Sequence, residues 1–404
     1  MSVFLADNLS KSQLEILGTK REIWPAELSF PEPVFAERLD LVQQDLLARG
    51  LSGAVLFDPE NMFWLTGYQT IGYFTFQAMF VPTAGKPVVV TRVVNRDMAL
   101  ALPTIADVVT IFDTQDHIDM LASFLRSRQS TGRLGLETTS SYLNVNDHGR
   151  LSNHFGGRLA AWTGVIEAHR MIKSAAELDR MRRAARAVEA GMEEALNTIA
   201  VGKTDNDLAA ALYRGSIAAG SEYIGHPPMV VSGPRSELCF ALWKRNTIEK
   251  GDTVLLEGAG CVDRYHAMMS RSAVVGPPSD EHKATAEALI EILETAIDTI
   301  RPGATAGEVD LAVRGKVEKR GLSKYFKSRT AYGIGIGFPP NWAEGHIYSI
   351  RPEDPLVLKP NMTFHIIPTI FRKGFGMAIS DSVRVSESGC EVLTNYPRDL
   401  LIVD

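Results

Sequence analysis

Residues 199–212, IAVGKTDNDLAAAL, and residues 300–313, IRPGATAGEVDLAV, carry the same pattern and decide the fold. The matching positions are Gly202 with Gly303, Thr204 with Thr305, Asp207 with Glu308, and Ala211 with Ala312. In each copy the glycine ends one helix, and the threonine and the acid three residues later cap the next helix. A long amphipathic stretch precedes each copy, so the sequence predicts a pair of helices that occurs twice.

A sheet follows each copy of the helix pair. Glycine-containing strands are predicted at VVSGPRS (230–236) and YGIGIGF (332–338), and hairpins at TVLLEGAG (253–260) and TFHIIPTI (363–370). The pattern predicts an α+β domain over residues 171–404, in which a pseudo-two-fold repeat builds a curved antiparallel sheet covered by helices. Clefts between such halves are common ligand sites, so we expect the functional site there.

Residues 1–170 form a different pattern and predict a smaller α/β domain. FAERLDLVQQDLLARG (35–50) has apolar residues at helical spacing, and YLNVNDHGRL (142–151) also reads as a helix. Short β-branched runs bounded by Gly, Pro or Asp predict strands, at SGAVLFD (52–58), FQAMFVP (76–82), KPVVVTR (86–92), VVTIFD (108–113) and RLGLET (133–138).

Composition excludes several classes of function. The 404 residues carry a formal net charge of −6, which argues against nucleic acid or an anionic membrane as the main partner. Apolar runs are only strand-sized, and MSVFLADNLSKSQLEILGTK (1–20) lacks the layout of a signal peptide. Three scattered cysteines do not make a disulfide framework. We therefore expect a cytoplasmic protein that acts on a small molecule.

Three polar residues of the hairpins are candidates for catalysis. Glu257 ends the apolar run TVLLE, where a buried carboxylate without a partner would be costly, so it is either a site residue or a rim residue that reaches solvent. His266 and His365 lie on the two repeated hairpins and are either satisfied core residues or proton donors.

The chain resembles the pita-bread family of creatinase, prolidase, aminopeptidase P and methionine aminopeptidase. The resemblance is carried by MIKSAAEL (171–178), PGAT (302–305) and ISDSVRVSESGCEVLT (379–394). The family's metallopeptidases hold metal with two Asp, one His and two Glu. Those positions fall here on Glu257, Met268, Ile334, Ile367 and Ser380. The resemblance therefore implies a frame that has lost its metal site, and we expect no metal and no other cofactor.

Creatinase also works without metal, but its residues are not kept either. Its catalytic His falls on Phe240 and its two site Glu residues on Ser270 and Ile367. One of its substrate-binding arginines falls on Thr75, whereas the other, which grips a carboxylate, falls on Arg351. A substrate with a carboxylate is therefore implied, without the creatinase arrangement.

The subfamily that the chain resembles most is the ectoine hydrolases, metal-independent members of the fold that open a cyclic amidine. LTGYQTIGYFTFQ (65–77), PPMVVSGPRS (227–236), VLLEGAGCVDRYHAM (254–268), WAEGHIYSIRP (342–352) and MTFHIIP (362–368) carry this resemblance. It implies opening of ectoine to an N-acetyl-2,4-diaminobutyrate, with Glu257 as nucleophile or general base. His266 or His365 would protonate the departing ring nitrogen. Alternatives are a creatinase-like hydrolase of another small C–N substrate, and an inactive binding protein.

Further residues are assigned to substrate binding, each beside a plainer interpretation. The candidates are Arg351, Glu344, His346, Trp342, Phe240, Tyr73, Phe74 and Ser232. Trp342, Glu344 and His346 could instead belong to a solvated loop, and Ser232 to a turn. The aromatic segment around Tyr73 and Phe74 could be domain core or a dimer contact. Because the family's N-terminal domain usually completes the partner's site, the resemblance also implies a homodimer.

Overall fold

A computed structural model describes residues 10–18, 28–128 and 131–404, so part of the stretch examined for a signal peptide lies outside the described residues. The chain divides into two compact units, Met1–Glu167 and Ala168–Asp404. Across the described part of the chain, no helix is long and apolar enough to cross a membrane.

The first unit is built on a mixed sheet of six strands among its described residues, in the order β4-β3-β2-β1-β5-β6. The strands are β1 (Leu51–Leu56), β2 (Gln77–Pro82), β3 (Val88–Arg92), β4 (Asp107–Ile111), β5 (Arg133–Leu136) and β6 (Leu159–Ala161). The helices are α1 (Lys11–Gly18), α2 (Glu32–Ala48), α3 (Pro59–Thr66), α4 (Arg96–Leu100), α5 (His117–Arg128) and α6 (Val145–Phe155), and α7 (Val165–Arg170) follows. Every strand and helix predicted in this unit is present, which confirms its α/β class.

The second unit contains the predicted helix pairs. They are α8 (Ala175–Thr198) with α9 (Asp205–Ala218), and α10 (Asp280–Thr299) with α11 (Ala306–Lys319). Capping boxes begin α9 at Thr204 and α11 at Thr305, as the repeat predicts. Gly202 and Gly303 have φ of 83° and 86°, left-handed conformations that suit glycine at the turn between helices. The repeat in the sequence therefore corresponds to a repeated pair of helices in the structure.

The sheets of the second unit are formed by strands from both halves. Among the described residues, one has the order β17-β9-β8-β7, another β11-β10-β12-β15-β16, and β13 pairs with β14. The strands are β7 (Met229–Ser232), β8 (Thr253–Val262), β9 (Tyr265–Val275), β10 (Ala331–Gly333), β11 (Ser349–Ile350), β12 (Thr363–Ile366), β13 (Thr369–Arg372), β14 (Phe375–Ala378), β15 (Asp381–Val385), β16 (Cys390–Val392) and β17 (Leu401–Val403). An isolated antiparallel bridge between Ser270 and Ser380 connects the two halves.

Two local expectations need correction. Glu257 does not end a strand: β8 continues to Val262, and the hairpin turns at Asp263 and Arg264, both with positive φ, as in a two-residue hairpin loop. The predicted strand YGIGIGF is regular only at Ala331–Gly333. A Cβ at Gly335 would lie 2.7 Å from the carboxylate of Glu344, so the segment beyond β10 keeps its glycine for close approach to that side chain.

Candidate active site

A cavity of about 650 Å³ opens within the second unit, between the two hairpins. Its wall is mainly apolar, with Met229, Val231, Leu255, Ile367 and Phe371 among the lining residues. The polar and charged groups that face it include Glu257, Tyr332, Lys327, Arg329, His226 and His346. An apolar cleft with a few convergent polar groups is the usual form of a small-molecule site.

Glu257 is the acid that lines this cavity. It lies in the middle of β8, directly opposite Ser270 of β9, and is 3% exposed. Burial raises its pKa to about 8, because the charged form loses its hydration. Its Oε1 is among the buried side-chain atoms of the described residues that have no hydrogen-bond partner. A carboxylate held in this state is suited to meet a cation.

His365 lies beside Glu257 within a short chain of hydrogen bonds. Its Nδ1 is 2.6 Å from the Tyr332 hydroxyl, its Nε2 is 2.7 Å from Ser380 Oγ, and Nδ1 is 4.0 Å from Glu257 Oε1. Burial lowers the pKa of His365 to about 3, and the charge of Arg271 adds to the effect. Of the two interpretations of His365, a proton donor is therefore the less favoured, because the ring is neutral near pH 7.

The contacts of His266 favour a core residue over a proton donor. The Gly225 N–H donates to its Nε2 at 3.0 Å, so its Nδ1–H donates to the Arg264 carbonyl at 2.9 Å. The side chain is fully buried, and burial lowers its pKa well below the usual value. Both ring nitrogens are used by the backbone, and the residue does not line the cavity. His266 is a satisfied core histidine, which corrects the catalytic expectation.

Glu344 is buried but serves a structural ion cluster. Arg170 and Lys173 contact its two oxygens at 2.7 and 2.6 Å, and the Ile336 N–H donates to Oε1 at 3.2 Å. Burial alone would raise the pKa of Glu344, but the charges of Lys173 and Arg170 outweigh it and lower the pKa. The carboxylate is saturated and does not line the cavity, so the expectation of a substrate contact is corrected.

Arg351 and Ser232 also lie away from the cavity lining. The Arg351 side chain is 64% exposed and pairs with Asp354 at 2.7 Å. Ser232 is buried at the end of β7, where its hydroxyl accepts a hydrogen bond from the Asn246 amide at 2.8 Å. Arg351 belongs to a surface turn, so the role in carboxylate binding that the resemblance to creatinase implies does not fit its position. Ser232 has the other role considered for it, at a turn.

Trp342, His346 and Phe240 line the cavity, and their predicted role in substrate binding stays a prediction. Trp342 is buried and stacks on His226 with ring centroids 3.4 Å apart. Phe240 is 78% exposed at a positive φ of 62°. A buried indole and an exposed phenyl ring could bracket a planar ligand, although that contact stays a prediction.

Tyr73 and Phe74 belong to the first unit. Tyr73 is buried and packs edge-on against Tyr142, with ring centroids 5.5 Å apart. Phe74 is 75% exposed at the end of the 3₁₀ turn Ile71–Phe74. Tyr73 therefore belongs to the core of its unit, whereas the role of Phe74 in substrate binding or dimerisation stays a prediction.

Sequence reasoning missed Tyr332, Arg329, Lys327 and His226 as cavity residues. Tyr332 is directly opposite His365 in the β10–β12 ladder, a pairing that the predicted strands could have revealed. The basic run KSR (327–329) just before the glycine-rich strand was a second available signal. The metallopeptidase His was assigned to Ile334, but the residue that faces the cavity from this strand is Tyr332.

The donor set does not fit the metal site of the peptidases. Met268, Ile334 and Ile367 offer no carboxylate or imidazole, and Ser380 is hydrogen-bonded to His365. Within the described ranges, a group of acids close enough to hold an ion occurs only in the first unit, at Asp58, Glu137 and Glu167. There, Glu137 already accepts hydrogen bonds from the backbone of Phe57 and Asp58 and from Asn61, as expected of a structural carboxylate.

The family model described as "Metallopeptidase family M24" matches residues 179–387. The model "Creatinase/Prolidase N-terminal domain" matches residues 38–172. The chain belongs to metallopeptidase family M24. This confirms the family and the fold expected from the resemblance.

Relatives and solved structures support hydrolase activity without agreeing on a substrate. An ectoine hydrolase of Halomonas elongata is 29% identical over 93% of this chain and 98% of its own length. An uncharacterized hydrolase/peptidase of Sinorhizobium fredii is 30% identical over the same shares. The structure of a prolidase from Thermococcus sibiricus is 25% identical, with a TM-score of 0.82, over 91% of this chain and 99% of that one. The family is thus shown, and the bond that this chain cleaves is a separate question.

Proposed function

We propose that the chain is a metal-independent hydrolase of a non-peptide C–N bond in a small cyclic amidine that carries a carboxylate, such as ectoine. The observation that carries the proposal is the state of Glu257, a buried carboxylate without a hydrogen bond at Oε1, in an apolar cavity. An amidinium offers the positive charge and the N–H donors that this carboxylate lacks. The named ectoine hydrolase relative adds support.

The charges of the cavity also suit a zwitterion. Lys327 and Arg329 line it, and among the described residues neither has an ion-pair partner. Arg329 donates only to neutral acceptors, the Gly345 carbonyl at 3.2 Å and Ser349 Oγ at 2.9 Å. A substrate whose cation meets Glu257 can therefore place its carboxylate against Arg329. This gives Arg329 the role that the resemblance had assigned to Arg351.

The chemistry follows from the electrophilic carbon between the two amidine nitrogens. Binding of the cation lowers the pKa of Glu257, because the ionised form gains a charge partner. The carboxylate can then attack that carbon or remove a proton from the water that does so. The apolar wall excludes other water and strengthens both interactions. Collapse of the adduct breaks one ring C–N bond and yields an N-acetyl-2,4-diaminobutyrate from ectoine.

The test is turnover of ectoine by purified protein that has been exhaustively dialysed against a chelator. We expect ring opening, followed by NMR, at an unchanged rate after chelation. A thermal shift with ectoine but no ring opening would favour an inactive binding protein. Turnover that is lost on chelation and restored by a divalent ion would contradict the proposal and favour a peptidase-like mechanism.

The homodimer and the cytoplasmic location remain proposals. The exposed apolar side chains Ile71, Phe74, Val94 and Met98 of the first unit support a protein contact there. The mass of the protein in solution by light scattering, for wild type and Phe74→Ser, tests the assembly. A monomer with full activity would remove any need for a partner at the site.

A further inference from the structure

Tyr332 faces the cavity but is not among the site residues predicted from the sequence. Tyr332 lines the cavity, and its hydroxyl is contacted by two nitrogens: His365 Nδ1 at 2.6 Å and Trp342 Nε1 at 3.3 Å. The indole N–H can only donate, so the tyrosine oxygen accepts there. The orientation of the tyrosine's own hydrogen therefore depends on His365.

The two tautomers of the neutral imidazole have opposite consequences. With its proton on Nε2, His365 accepts from Tyr332, and the phenol has no hydrogen left for a ligand. With its proton on Nδ1, His365 donates to the phenol, whose hydrogen is then free to point elsewhere. The Ser380 hydroxyl, 2.7 Å from Nε2, can donate or accept and so serves either tautomer.

The neighbouring carboxylate biases this choice. Glu257 Oε1 lies 4.0 Å from His365 Nδ1, so ionisation of Glu257 favours a proton on that nitrogen by direct attraction. The imidazole itself remains neutral, since it is buried and lies close to the positive charge of Arg271. Ionisation of Glu257 thus turns the Tyr332 hydrogen away from His365 and makes it available to the ligand.

We propose that Tyr332 is the catalytic residue that protonates the departing nitrogen, and that His365 and Ser380 position its phenol. The inference rests on the proposed hydrolysis of an amidine. When water attacks, its oxygen bonds to the amidine carbon and Glu257 takes one of its protons. The C–N bond pair then moves to nitrogen, which takes the Tyr332 proton, while the new hydroxyl group becomes the amide carbonyl and its proton passes to the released amine, which leaves as an ammonium. The phenolate recovers a proton from the Glu257 carboxyl group. If Glu257 attacks directly, the phenolate recovers its proton from the water that hydrolyses the ester.

The two histidines predicted as proton donors do not offer this proton. His266 uses both ring nitrogens on the backbone, and His365 is a neutral imidazole, too weak an acid for the task. Burial, with the nearby charge of Glu257, raises the pKa of Tyr332 well above its usual value, so the phenol keeps its proton at neutral pH. The departing nitrogen becomes more basic as its C–N bond breaks, so it can take the phenol proton in the transition state.

The first experiment compares Tyr332→Phe with the matched control Tyr348→Phe, using ectoine as the probe. Tyr332 is partly buried at the cavity wall, whereas Tyr348 is buried, does not line the cavity and donates to backbone carbonyls. We expect Tyr332→Phe to lower kcat by about 10²- to 10³-fold, within the range for a lost general acid, with KM changed less than about threefold. Tyr348→Phe should lower thermal stability and leave kcat within about threefold.

The positioning role is tested at His365. In His365→Asn, the side-chain amide can still donate toward Tyr332, so this variant should keep at least about ten times the kcat of His365→Ala, whose side chain offers no donor. A purely structural role would give equal kcat for the two variants once both are shown to be folded. If Tyr332→Phe does not fold, incorporation of 3-fluorotyrosine at position 332 tests the role of this tyrosine instead. This more acidic phenol should move the alkaline decline of kcat to lower pH.

The outcomes separate the inference from the proposed function. Wild-type protein that does not open ectoine overturns both. Wild-type turnover with Tyr332→Phe within about threefold in kcat, or with an equal loss in Tyr348→Phe, overturns the role of Tyr332 alone. If 3-fluorotyrosine at position 332 does not move the alkaline decline of kcat, the result also contradicts the role of Tyr332. A selective loss in Tyr332→Phe, with partial retention in His365→Asn, supports it.

Discussion

Two carboxylates of the second unit, Glu257 and Glu344, are equally inaccessible to solvent and opposite in character. Glu344 has Arg170 and Lys173 against its oxygens, and their charges lower its pKa. Among the described residues no charged Lys or Arg contacts Glu257, and burial raises its pKa to about 8. The difference teaches that burial alone does not mark a functional acid. The acid whose charge the fold leaves uncompensated, in a cavity that admits a ligand, is the better candidate.

The largest expected effect is on turnover in Glu257→Gln. The variant keeps the shape of the side chain but removes the charge and the basic oxygen, so we expect kcat for ectoine to fall by about 10²- to 10⁴-fold. Glu344→Gln is the comparison, assayed at a temperature where it remains folded, and should retain turnover within about tenfold. Near wild-type kcat in Glu257→Gln would make Glu257 a structural residue. A transient ester on the peptide that contains Glu257, seen by mass spectrometry after quenching, would identify direct attack.

The second effect is on stability, for which we expect the substitution of Glu344 to matter more than the substitution of Glu257. Glu344→Gln removes the carboxylate charge that Arg170 and Lys173 contact in a buried environment, so we expect a loss of about 3–5 kcal/mol in the free energy of unfolding. Denaturant unfolding of the variant and the wild type at pH 7 measures this difference. A loss below about 1 kcal/mol would show that the cluster is solvated or rearranges.

A third effect is the pH dependence of stability due to Glu257. Its pKa is raised in the folded protein, so between pH 4.5 and about 8 the unfolded chain loses this proton while the folded protein keeps it. Stability attributable to Glu257 therefore falls as pH rises, by about 1.4 kcal/mol per pH unit. Glu257→Gln lacks this term, so its stability relative to wild type should increase from pH 5 to pH 8. A constant difference would mean that Glu257 is already ionised in the folded protein.

The smallest effect concerns the two arginines. Arg329→Ala should raise KM for ectoine about tenfold with little change in kcat, since a contact to the substrate carboxylate is made in both ground and transition states. Arg351→Ala is the matched control, because its side chain pairs with Asp354 at the surface. A rise in KM for Arg351→Ala, with KM unchanged for Arg329→Ala, would instead support the role that the resemblance to creatinase implies for Arg351.

The sequence predicted the fold because its signals are local and repeated. The Thr204 and Thr305 caps and the turn glycines are short-range features, and each agrees with the structure. The site was predicted only in part. Glu257 was identified because an acid after Val-Leu-Leu is conspicuous, whereas the partners of Glu344 come from a distant segment, at Arg170 and Lys173.

The missed residues have the same physical explanation. Tyr332 matters because register places it opposite His365, and Arg329 because the chain before β10 runs along the cavity. The predicted strands and the basic run KSR (327–329) were signals of these two facts, but residue types alone establish neither. His365 looks like a titrating acid in the sequence, and only its burial shows that the ring is neutral. Pairing across strands and the environment of each charge are properties of the folded chain.

The most direct test of the central claim is the pH dependence of kcat/KM for ectoine, measured with and without a chelator. Because kcat/KM reports the free enzyme, an essential ionised Glu257 predicts that it rises with pH through an apparent pKa of about 8 and then levels off. The profile should be the same in the presence of the chelator. A kcat/KM that is constant from pH 6 to pH 9, or that disappears on chelation, would contradict the claim that this unpaired carboxylate drives a metal-independent hydrolysis.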